Sequence, residues 1–135
     1  MADLHIDDFY KDVARSLTLL YSSFPRKIIL YVEDICGPDS PDEFGLHCPR
    51  FQSCFSTLIW LADTGYLRYD TCIRQEALDQ TCLTHKGFTL LSSRIPTADN
   101  QTPPYPSRID RLRDTLKNGS SFALEEVVQE LLNQP

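Results

Sequence analysis

His47, Cys48 and Cys54 fall in one short stretch, with Cys36 and His85 elsewhere, and these are residue types that ligate transition metals. Structural zinc prefers ligand pairs separated by about two to four residues. Here five residues separate Cys48 from Cys54 and His47 adjoins Cys48, so the spacing does not point to a metal centre, and no cofactor is expected. Cys72 and Cys82 sit on the two arms of a predicted hairpin, where a disulfide would require Cα atoms within about 7 Å. Five cysteines without a C-x-x-C pair read more simply as free thiols serving as small apolar residues in a reducing compartment. The adjacent carboxylates Asp7–Asp8 and Asp42–Glu43 diverge on a helix or sit in a loop, where they are solvated charges. There is no G-x-S-x-G elbow, H-E-x-x-H pair or phosphate-binding glycine loop, and a non-enzyme is expected.

The elements that position these residues follow from periodicity. Ile6, Phe9, Tyr10, Val13, Leu17, Leu20, Tyr21 and Phe24 recur at steps of three and four and predict a first helix, stopped near Ser22–Ser23 by Pro25. In residues 27–37, β-branched content suits a strand. Ile28, Tyr31, Val32 and Ile35 nevertheless share one helical face and Gly37 offers a stop, so a helix is expected. Residues 37–48 form a Pro/Gly/Asp-rich loop. Pro49 opens a third helix, with Phe51, Phe55, Leu58, Ile59 and Ala62 as its buried stripe. Arg50, Ser53, Cys54, Thr57 and Leu61 then lie on the opposite side, with Gln52 and Ser56 on a flank.

A helix stop at Asp63-Thr64-Gly65 is followed by the strand Tyr66–Tyr69, a polar excursion, a return strand at Thr81–Leu83 and a new helix from Thr84. The pieces W-L-x-x-x-G-Y-L-R, from Trp60 to Arg68, and L-T-x-K-G, from Leu83 to Gly87, resemble the segments that flank the wing in bacterial winged-helix regulators. The resemblance covers roughly residues 6–93. It implies an α+β, mainly α fold: a three-helix core plus a two-stranded wing over residues 1–93. A Pro-rich linker, 94–107, and a C-terminal helical pair, 108–135, follow.

Charge bears on what such a domain would bind. The chain carries a net charge of −6, with nine acidic and four basic residues in positions 1–46. No Lys/Arg run exists, so a nucleic-acid site must be assembled in space. On a winged helix, Arg26, Lys27, Arg50, Arg68 and Arg74 fall where phosphates would be approached, and Gln52, Ser53, Ser56 and Thr57 where base edges would be read. The resemblance therefore implies a DNA-binding regulator. The alternative is a protein-interaction module, favoured by the acidic loop Asp39-Asp42-Glu43 and by Trp60 and Leu61 as exposed apolar candidates. The C-terminal pair must cover a surface, because short helices are marginal alone. Its stripe Leu124, Val128, Leu131 and Leu132 is expected to make a homodimer, as regulators that read two half-sites do. No segment approaches the ~18 apolar residues of a membrane span, and the acidic N-terminus lacks a leader's pattern, so a cytoplasmic protein is expected.

Overall fold

A computed structural model of the chain describes residues 4–95 and 107–134; most of the stretch read as a linker lies outside them. The fold is α+β and mainly helical. Helix α1 (Leu4–Ser23) buries Val13, Ala14, Leu17 and Leu20, and ends two residues before Pro25. A small antiparallel sheet is centred on β4 (Ala77–Leu83). Strand β1 (Ile28–Tyr31) lies on one edge of β4; β2 (Leu67–Arg68) and β3 (Thr71–Ile73) share the other.

The helix expected over residues 28–36 is a strand followed by one helical turn, α2 (Glu33–Cys36). Leu30 and Val32 are fully buried while Tyr31 between them is exposed, which is the two-residue alternation of a strand. Both periods fit this segment, and the open edge of β4 decides between them. Ile28 pairs with Thr81 and Leu30 with Leu78, and the Val32 amide donates to the Glu76 carbonyl at 2.9 Å.

Helix α3 (Pro49–Asp63) is rotated from its expected setting. Its buried arc is Phe51, Cys54, Thr57, Leu58 and Leu61, whereas Phe55, Ile59 and Ala62 are only half-buried. The side expected to face outward therefore packs on α1 and α2. Leu61, read as an exposed candidate, is fully buried; Trp60 remains 39% exposed.

The end of α3 is a hydrogen-bonded stop. The Gly65 amide donates to the Ala62 carbonyl and the Tyr66 amide to the Leu61 carbonyl, with Gly65 at φ +88° as the residue able to adopt that backbone cheaply. Helix α4 (His85–Ser92) begins against this stop. Thr84 accepts from the Gly87 amide at 3.0 Å and its hydroxyl donates to the Gly65 carbonyl at 2.6 Å. Gly87 has no substitute here, because a Cβ would collide with the Tyr66 carbonyl oxygen.

Helices α5 (Arg108–Asn118) and α6 (Ser121–Leu132) are capped by Ser107 and Ser120 and pack on α1. Leu124, Val128 and Leu131, assigned from sequence to a partner copy, are buried in the same cluster as Val13, Leu17 and Leu58. Only Leu132 of that stripe is partly open. The apolar face of α6 is thus spent on α1, which it also reaches through Gln129 and the Tyr10 hydroxyl at 3.1 Å. Among the described residues, no helix is long and apolar enough to cross a membrane.

Candidate docking face

The nine residues expected to meet nucleic acid separate into three groups, with Arg26 apart from them. Arg50 is turned inward. Its Nη1 and Nη2 donate to the two carboxylate oxygens of the fully buried Asp12 at 2.7 and 2.6 Å, and its Nε lies 3.4 Å from Asp8. The hydrogen bonds to Asp12 raise the pKa of an already permanent cation. Thr57 is buried and donates to the Ser53 carbonyl; Ser53 is half-buried on the same side. Arg50 and Thr57 are thus committed to partners within the chain, and Ser53 is only partly open.

Gln52, Ser56 and Arg74 do come together. They line a depression of about 270 Å³ between α3 and the β3–β4 turn, floored by Phe51 and Phe55. Arg74 and Gln75 form that turn, with φ of 51° and 60°, and the Glu76 amide closes it on the Ile73 carbonyl at 2.8 Å. Lys27 and Arg68 line a different depression, beside Asp70 and Asp79. Arg26 is exposed just before β1.

A residue set that sequence spacing did not reveal dominates the face formed by α3 and the β3–β4 hairpin. His47 lies between two carboxylates, Nδ1 at 2.9 Å from Asp39 and Nε2 at 3.1 Å from Glu76, with its ring stacked on Phe51 at 3.9 Å. The hydrogen bond to Glu76, aided by Asp39, raises the His47 pKa. Asp39 also accepts from the Cys48 amide, and that bond, with His47, lowers its own pKa. Glu76 belongs to the hairpin and Asp39 to the loop, so the imidazole fastens the two together.

Asp42 organises the tip of the same loop. One of its carboxylate oxygens accepts from the Phe44 and Leu46 amides, each at 2.9 Å, and Gly45 turns the chain at φ +80°. The result is a tied loop that presents Phe44 at 80% exposure and Leu46 at 60%. Asp42 and Glu43 belong to the same loop and Asp39 and Glu76 flank the neighbouring His47, while Arg74 is the one Lys or Arg among the described residues that line the adjoining depression.

Burial raises the pKa of Cys54 and of its neighbour Cys36, which keeps both protonated. Cys72 pairs in register with Leu78, and Cys82 with Arg68, so the two do not face each other across the hairpin. Among the described residues, no group of three His, Cys, Asp or Glu side chains is placed to hold a metal ion.

The Asp12–Arg50 pair had a signal in the sequence. Asp12 lies inside the arc of Phe9, Val13 and Ser16, where an acid must find a buried cation. Comparison of the chain with protein-family models, with curated proteins and with solved structures finds no match.

Proposed function

We propose that this chain is a non-catalytic winged-helix module that docks a protein partner through the loop–α3–hairpin face. The order helix, strand, helix, helix, hairpin, helix supports the winged-helix reading, as does a sheet with β1 and the β2–β3 arm on opposite edges of β4. The observation that carries the docking reading is the tied loop. A solvent-exposed Phe44 and Leu46 on a loop with both ends held is a preorganised apolar contact, and preorganisation lowers the ordering cost of association. The carboxylates of this loop select a partner segment that pairs apolar side chains with Lys or Arg.

A photo-crosslinking residue installed at position 44 tests this in cells. A discrete polypeptide adduct, lost when Leu46→Asp is added and absent when the crosslinker is placed at exposed Lys117, is the expected result. Adducts to nucleic acid alone, or equal labelling from position 117, would overturn it.

A second reading, binding of duplex DNA, is favoured by Gln52, Ser56 and Arg74 sharing one groove. With Arg50 withdrawn, only Arg26, Lys27, Arg68 and Arg74 remain for phosphates. The slope of log affinity against log salt would then be no steeper than about −3.6 per chain.

A further inference from the structure

The face away from the loop holds a groove of about 810 Å³ where the start of α1, the end of α3, α4 and the end of α6 converge. Its wall is aromatic. Phe9 meets Trp60 edge-on at 5.1 Å between ring centroids, and Tyr66 lies beyond Trp60 at 6.4 Å. Phe9 in turn touches Tyr10, whose hydroxyl accepts from the Gln129 amide at 3.1 Å. Lys86 is the one charged side chain among the described residues that line the groove. Its ammonium sits over the Tyr66 ring at 4.4 Å and donates one hydrogen to the Thr64 carbonyl at 3.0 Å.

An ammonium has three donors, so two remain for a ligand. None of the ion pairs among the described residues involves Lys86. Volume, an apolar lining and a few convergent polar groups are the usual features of a small-molecule site. We infer that this groove binds a small planar aromatic carboxylate, its ring against Phe9 and Trp60 and its carboxylate on the Lys86 ammonium, which Tyr66 and the Thr64 carbonyl hold in place. Charge selects the class. A cationic ligand would meet Lys86 at the aromatic face that the lysine already occupies, and a neutral one could accept a hydrogen bond from the ammonium but would leave its charge uncompensated. Trp60 is 39% exposed, a ring held open to the groove by its neighbours.

The chain has one tryptophan, so a single indole N–H resonance reports on the groove. Titrating the isotope-labelled full chain with 2-naphthoate is expected to move that resonance in a saturable manner, with Kd of about 1 mM or below. The neutral isostere 2-naphthamide should bind about threefold to fivefold more weakly, the worth of an exposed ion pair at Lys86. Lys86→Met, which keeps the aliphatic stem, should equalise acid and amide, and Lys86→Arg should restore the preference. The inference fails if the indole resonance of the folded protein does not move at ~5 mM naphthoate, several times that Kd. It also fails if acid and amide bind the wild type equally, or if Lys86→Met leaves the preference intact.

Discussion

Arg50 illustrates how a buried carboxylate redirects a residue. From the sequence it stands in the first turn of a helix that a winged fold would turn toward DNA. In the structure Asp12, fully buried on α1, takes both of its terminal nitrogens. An ion pair with one partner inside the core is costly to break, since the remaining carboxylate has no solvent to turn to. Arg50→Met is therefore expected to destabilise the chain by about 3 kcal/mol, the low end for such pairs because the guanidinium is partly open. Urea unfolding checks it. Asp12→Leu combined with Arg50→Met should recover much of the loss, because the orphaned charge is removed. An Arg50→Met chain as stable as wild type would show that the pair carries no such load.

At the scale of elements, the loop and the hairpin are joined through His47, and their union depends on pH with a definite sign. The His47 pKa is raised on folding by Glu76 and Asp39, so its contribution is fully present below the unfolded imidazole value of about 6.5. It fades as the pH rises through the higher folded value. Asp39 is lowered, so its contribution persists above the ordinary carboxyl range and is lost only in stronger acid. Amide exchange of residues 39–48, corrected for the intrinsic pH dependence, should be slowest in mildly acidic buffer and quicken above neutrality. Glu76→Gln should flatten that dependence, and an unaltered profile in the variant would count against the clamp.

What was legible in the sequence divides along the same line between local and distant forces. Helices α1, α4, α5 and α6 carry one strong period and side-chain caps or stops within a few residues, so neighbours in sequence determine them. The Gly65 stop is of the same kind. Residues 28–36 satisfy both the helical and the strand period, and only the edge of β4, nearly fifty residues away in sequence, selects the strand. The rotation of α3 escaped for a related reason. Apolar side chains occur all round it, and its setting depends on Asp12 and the rings of Phe9 and Phe51, which no local pattern links.

Across the whole molecule, the C-terminal pair, expected from the sequence to join a second copy, packs on the core of its own chain. Leu112, Leu124, Val128 and Leu131 are buried in a cluster continuous with α1. At about 1.5–3 kcal/mol for each fully buried aliphatic side chain, their joint removal rivals a typical domain stability of about 5–15 kcal/mol. A chain stopped at Ser93 is accordingly expected to lose its cooperative thermal transition and to expose apolar surface to a hydrophobic dye. A truncated chain that melts sharply would mean that residues 4–93 are a self-sufficient unit.

The contact of α6 with α1 also sets an order of events during synthesis. Helix α3 reaches α1 within a few tens of residues of synthesis, yet the last side chains to cover α1 arrive more than a hundred residues after it, Gln129 meeting Tyr10 among them. Such distant pairing slows folding, because the loop must close before its contacts repay the closure. Between the emergence of α3 and that of α6, the part of the α1 face that α6 covers is thus open, which favours chaperone engagement of the nascent chain over that interval.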